Sequence, residues 1–250
     1  MARILLVEDN ERFAGAAEEY LSSREHAVTL ARDYAQAIAG LTVPNYSGII
    51  TDCFFPEITG SGKTDLGIEL VDRMAQSDPH ESKMRKGLEA LGQYVDLEDP
   101  DALKYAKLYL SGIGGDISDS PIFGALRAVA GMDKGLATHT FKQIYEMMYR
   151  EERTPKDYYG ALVKAIGESE ANQPLGLLVA EMATELDIPV VLATSTFHHD
   201  ILTQPVQDYA ARNGWALVDC NFGREDEKAS PEFWQRALVE IEHGMQSSGV

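Results

Sequence analysis

The chain has 250 residues, 44% of them hydrophobic, enough to bury one large core or two modest ones. Its formal net charge of -18 opposes binding to nucleic acid and to anionic lipid, both of which depend on clustered Lys and Arg, so DNA and membranes are set aside as direct partners. Cys53 and Cys220 are too few for a disulfide framework, no run of about 18 apolar residues occurs, and the stretch from Met1 to Glu8-Asp9 reads as neither a signal peptide nor a membrane span; a reduced, cytoplasmic setting is expected.

Ile4 to Val7 is a continuous apolar run, the pattern of a parallel strand buried on both faces, and it stops at Glu8-Asp9-Asn10. Phe13, Ala16, Ala17, Tyr20 and Leu21 then share one helical face, and Ala27-Val28-Thr29-Leu30 reads as a second strand. Asp33 can cap a second helix, striped by Tyr34, Ala37, Ile38 and Leu41, before Gly48-Ile49-Ile50-Thr51 runs into Asp52. The alternation resumes near Pro174: a helix with Leu175, Leu178, Val179, Met182 and Leu186 inward leads into the strand Ile188 to Ala193. A helix from about Gln204 to Arg212, a fifth strand at Trp215 to Val218 and a last helix opened by Ser230-Pro231-Glu232 follow, with Gly244 able to end it. Strands alternating with helices in this way predict an α/β fold with a doubly wound five-stranded parallel sheet, whose ligands bind at the carboxyl ends of the strands. Glu8, Asp9, Asp52, Thr194 and Cys220 all fall at such ends.

Between these halves, residues 61–172 read as successive amphipathic helices without a strand, an inserted α-helical subdomain between the two parts, 1–60 and 173–250, of a discontinuous α/β domain. The insertion holds 14 basic and 19 acidic residues and the rest of the chain 8 basic and 21 acidic, so the negative charge concentrates in the α/β part. The start of the insertion is open, because Gly67 to Met74 can also be read as the third helix of the α/β domain; the helix after Pro174 is preferred because it joins the fourth strand without a gap.

Carboxylates crowded at neighbouring strand ends repel one another unless a cation neutralises them, and oxygen ligands of this kind suit Mg2+. The opening Ile4-Leu5-Leu6-Val7-Glu8-Asp9-Asn10, the segment Asp52-Cys53-Phe54-Phe55-Pro56-Glu57-Ile58-Thr59-Gly60 and the strand Ile188-Pro189-Val190-Val191-Leu192-Ala193-Thr194-Ser195 together resemble the response-regulator receiver domain of two-component signalling, over residues 1–60 and 173–244. The resemblance implies a flavodoxin-like sheet of order 2-1-3-4-5, with Asp52 accepting a phosphoryl group, Mg2+ held by Glu8, Asp9, Asp52 and the Phe54 backbone carbonyl, and Thr194 as the switch hydroxyl. It also implies a histidine kinase or phosphotransfer protein as donor and a downstream protein partner, with a homodimer as an option. The chain departs from the family after the fifth strand, where Cys220 or Asn221 stands in place of a lysine and Leu217 or its neighbour in place of the switch aromatic. A replacement cation has to come from Lys228, Arg224 or Lys63, and Lys63, three residues beyond Gly60, is the one expected.

Two other readings accompany this one: a pseudo-receiver that binds partners without phosphorylation, which the absent lysine favours, and a Mg2+-dependent phosphotransfer enzyme in which the insertion caps Asp52. Thr59-Gly60-Ser61-Gly62-Lys63-Thr64 resembles a P-loop but has Glu57 where the pattern needs Gly, and is read as a turn with Thr64 capping the next helix. His198-His199-Asp200 is read as a loop or helix cap near the pocket rim, and the pairing of Cys220 with His139 has no supporting context.

Overall fold

The computed structural model describes residues 1–42, 46–78, 158–197, 200–221 and 223–247. The chain divides into two compact units, Met1–Met74 with Tyr158–Val250, and Ala75–Asp157. The helices read from the sequence within 79–157, together with His139, lie outside the described residues, as do His198 and His199.

In the first unit the described elements are β1 (Arg3–Val7), α1 (Glu11–Ser23), β2 (Ala27–Ala31), α2 (Tyr34–Leu41), β3 (Gly48–Asp52), α3 (Asp65–Ser77), α4 (Tyr158–Glu168), α5 (Gly176–Glu185), β4 (Val190–Ala193), α6 (Thr203–Arg212), β5 (Ala216–Val218) and α7 (Pro231–Ser247). All strands are parallel, in the order β2-β1-β3-β4-β5. This is the doubly wound α/β sheet expected from the alternation of apolar runs and helical stripes. β1 and β3 are interior strands, and Ile4–Val7 and Gly48–Ile50 are apolar and buried on both faces for that reason.

One face is covered by α1 and α7, where Ala17, Leu21, Phe233, Trp234, Ala237 and Ile241 meet Ile4, Leu6, Ile50 and Val191 in a single cluster. Each large side chain sealed there is worth roughly 1.5–3 kcal/mol relative to exposure. On the other side α5 lies against β3 and β4, and α2 against β1, β2 and α5. The helix after Pro174 is thus the one that bridges β3 and β4, while Asp65–Ser77 forms a separate helix with Leu70, Val71 and Met74 buried.

Two details differ from expectation. The buried face of α5 is Gly176, Leu177, Val179, Ala180 and Ala183, with Leu186 exposed, because small residues let the helix approach the sheet closely. α7 runs through Gly244, where a Cβ would stand 3.0 Å from Pro189 Cβ, so that glycine serves close packing inside the helix.

Among the described residues no helix is long and apolar enough to cross a membrane.

Candidate functional site

The carboxyl ends of β1 and β3 deliver Glu8, Asp9 and Asp52 to one place. Parallel register pairs Val7 with Thr51, so the residues that follow each strand emerge side by side. One carboxylate oxygen from each of the three lies within 4.8 Å of the others. Glu8 and Asp52 are buried and Asp9 half-buried. Asn10, the next residue, turns the chain into α1 by accepting the N–H groups of Arg12 and Phe13.

Each carboxylate is oriented by the backbone. Asn10 N–H donates to Glu8 Oε1 at 3.1 Å, and Cys53 N–H donates to Asp52 Oδ1 at 2.6 Å. The remaining oxygens face Lys228, whose Nζ lies 2.6 Å from Glu8 Oε2 and 2.9 Å from Asp52 Oδ2. The lysine side chain is fully buried. At these distances the ammonium is charge-paired and hydrogen-bonded to both carboxylates.

Lys228 reaches the pocket from a short 3-10 turn, Glu225–Ala229, ten residues past the end of β5. The intervening chain is folded back by Asn221, whose backbone and side-chain N–H groups donate to the Glu227 carboxylate at 2.9 to 3.2 Å. These bonds hold the Glu227 carboxyl below its usual range. Arg12 in the first turn of α1 pairs with Asp226 at 2.5 Å. The result is that Asn221, one of the two residues standing where the resemblance expects a lysine, helps seat the turn that carries Lys228. Lys63 is exposed in the loop after β3, and the cation beside Asp52 is Lys228.

The Lys228 ammonium pairs with two of the three carboxylates, Glu8 and Asp52. Burial raises the Glu8 carboxyl to about 8, with Asp52 adding to the shift and Lys228 opposing it. Burial, and then the charge of Asp52, raises Asp9 to about 6. Burial works against the Lys228 ammonium too, but the Asp52 and Glu8 carboxylates more than offset it and push its pKa above the ordinary range. A pocket of hard oxygen donors with surplus negative charge is able to hold a metal ion.

Thr194 follows β4, one residue beyond the register pair Asp52 and Ala193, and is buried. Its hydroxyl shares a 2.8 Å hydrogen bond with Thr196, which shares one of 2.5 Å with Thr203 at the start of α6. Cys53 and Cys220 are free, buried thiols; burial pushes Cys220 up to about 11 and drives Cys53 upward as well, so neither is primed as a nucleophile.

The loop after Asp52 is tied down. Tyr34 N–H and Ala35 N–H, in the first turn of α2, donate to Pro56 O and Glu57 O, and Asp33 Oδ2 accepts from Thr59 N–H at 3.2 Å. Gly60 and Gly62, both with positive φ, donate their N–H groups to Glu170. The amides that a P-loop would offer to phosphates are therefore taken by a carboxylate of the chain itself. Thr64 directly precedes α3 and its carbonyl accepts Ile68 N–H. Asp200 Oδ1 accepts Leu202 N–H just ahead of α6, a turn-forming role.

No protein-family model matches the chain, and no curated protein matches it at a significant level of similarity. The parallel sheet of order 2-1-3-4-5 with an acidic cluster at the carboxyl ends of β1 and β3 is compatible with a receiver fold.

Proposed function

We propose that this chain is an atypical response-regulator receiver, in which Asp52 accepts a phosphoryl group with Mg2+ and the output passes through protein–protein contacts. The observation that carries the reading is Lys228, a fully buried ammonium 2.9 Å from Asp52 Oδ2. Burying a lysine is costly, and threading one into an acidic pocket from ten residues beyond β5 has an evident use if a second anion arrives there. The pseudo-receiver reading drew on the absence of such a lysine.

In the proposed step an Asp52 carboxylate oxygen attacks the phosphorus of a phosphohistidine on a kinase or phosphotransfer protein. A P–O bond forms as the P–N bond breaks, and its electron pair leaves on the imidazole nitrogen. The Cys53 N–H bond fixes one Asp52 oxygen and leaves the other facing Lys228. Lys228 would then exchange its contact with Asp52 for one with a phosphoryl oxygen while remaining on Glu8. Thr194 would supply a hydroxyl donor by giving up its bond to Thr196. Asp9, Asp52 and the Phe54 carbonyl, with Glu8 beside them, would hold Mg2+, which neutralises charge on the transferring group.

The test is intact mass after incubation with Mg2+ and a small-molecule phosphodonor. One added phosphoryl group in wild type and none in Asp52→Asn is expected; an unmodified wild type that still binds Mg2+ would sink the reading.

A further inference from the structure

Resting on the reading of the acidic pocket as a Mg2+ site, we infer that Gln173, supported by Glu170, is a positioning residue for that site, because it sets the direction of the Phe54 carbonyl. Phe55 N–H donates to Gln173 O at 3.1 Å. The Phe54 carbonyl and the Phe55 N–H belong to one planar trans peptide and point in opposite directions. Fixing the N–H on Gln173 therefore fixes the carbonyl pointing away from it, two residues past Asp52.

Gln173 is itself held on every side. It is fully buried, and its Oε1 accepts Gly67 N–H at 3.1 Å while its Nε2 donates to Lys63 O and Glu170 O, each at 2.9 Å. Position 67 must be glycine for this, since a Cβ there would lie 2.7 Å from Gln173 Cγ. Glu170 adds the two bonds from Gly60 and Gly62, so the loop that leaves Asp52 is registered on residues 170–173 at four points, Phe55, Gly60, Gly62 and Lys63. The next turn of chain closes the arrangement: Gly176 N–H donates to Cys53 O at 3.1 Å. Two of these bonds, at Phe55 N–H and at Cys53 O, lie on the segment that carries Asp52 and Phe54, and the three made by the Gln173 side-chain amide seat the backbone carbonyl that Phe55 N–H uses. Outer groups that orient a metal's ligands typically change affinity by about 10- to 100-fold when removed.

The experiment is a calorimetric Mg2+ titration of the full chain as wild type, Gln173→Leu, Glu170→Ala and the control Thr184→Val, which removes the acceptor of the Trp215 indole N–H at the far end of α5. Gln173→Leu keeps the side-chain bulk and the backbone carbonyl that accepts Phe55 N–H but removes the three side-chain hydrogen bonds that seat it; its Mg2+ dissociation constant should rise about tenfold or more. Glu170→Ala should weaken binding by a smaller factor, and Thr184→Val should leave it unchanged although it too loses hydrogen bonds, those of its hydroxyl with Ala180 O and Trp215. Near-UV circular dichroism verifies the fold of each variant, and Glu170→Ala carries the test if Gln173→Leu does not fold. Wild-type affinity in folded Gln173→Leu, or in Glu170→Ala when it stands alone, overturns the inference. Equal weakening in Thr184→Val also overturns it, by showing a general effect of stability. A wild type that binds no Mg2+ overturns the reading of the pocket itself.

Discussion

Replacing Lys228 by Met isolates the role of the buried cation, because methionine keeps much of the aliphatic stem while removing the ammonium, whose Nζ lies 5.5 Å from the centre of the Phe13 ring. Two ion-pair contacts of 2.6 and 2.9 Å disappear from a sealed pocket. Breaking a buried pair by deleting one partner costs about 3–5 kcal/mol, since the other charges stay buried and uncompensated. The loss must depend on pH. Glu8 titrates near 8 with Lys228 present, and Lys228 lowers that value, so in the variant Glu8 holds its proton still more tightly. At about pH 6 Glu8 is neutral in both proteins and the difference shrinks; at about pH 9 wild type keeps an ionised, paired Glu8 while the variant has to bury a bare carboxylate or take up a proton. Urea unfolding of both proteins at the two pH values, without divalent metal, reads this directly. A loss of about 3–5 kcal/mol at the higher pH and clearly less at the lower is expected, with Mg2+ narrowing the gap. A loss that is the same at both pH values, or below about 1 kcal/mol at the higher, would refute the view that Lys228 is the counter-charge of this pocket.

Metal-free wild type should itself lose stability as pH rises from about 5 to 8, because Glu8 and Asp9 have folded pKa values raised above the ordinary 4.5 and 3.8, and stability from such groups is lost as pH climbs through the folded values. With solvent beside half-buried Asp9 the effect should be on the order of 1–3 kcal/mol, and saturating Mg2+ should flatten it; a melting temperature independent of pH without metal contradicts the assignment. Gly176→Ala places a Cβ 2.0 Å from Asp52 O and 2.9 Å from Cys53 Cα, backbone atoms that cannot move aside cheaply, so thermal unfolding should show a loss at or above about 3 kcal/mol. Gly15→Ala, in the middle of α1 with open space around it, should instead gain about 0.5–1 kcal/mol, and a reversed order of the two would count against the packing described for α5.

The sheet and its acidic edge could be read from the chain because the signals are local. Ile4–Val7 and Gly48–Asp52 are buried on both sides, so the apolar run and the carboxylate that ends it lie within a few residues of each other. The source of the pocket cation was not legible in the same way. Lys63 is near Asp52 along the chain, and proximity in sequence favoured it. Lys228 arrives on a turn held by Asn221 on Glu227 and by Arg12 on Asp226, contacts between residues up to 214 positions apart that no spacing rule anticipates. The carboxylate filling the Gly60–Gly62 turn was hidden for a similar reason, since Glu170 lies 110 residues from Gly60. At α5, Leu175 and Val179 are buried as the apolar stripe predicts, but Gly176, Ala180 and Ala183, whose small size seats the helix on β3 and β4, carry no signal in a stripe of large apolar residues.

Lys228 is the single lysine of residues 1–60 and 173–250, and its side chain is sealed from solvent. An amine-directed reagent can reach it only when the 3-10 turn lifts away from α1 and the carboxylates. Slow acylation at this position, located by peptide mass, would thus act as a clock for local opening of the sheet's carboxyl edge, converting a transient fluctuation into a permanent chemical record.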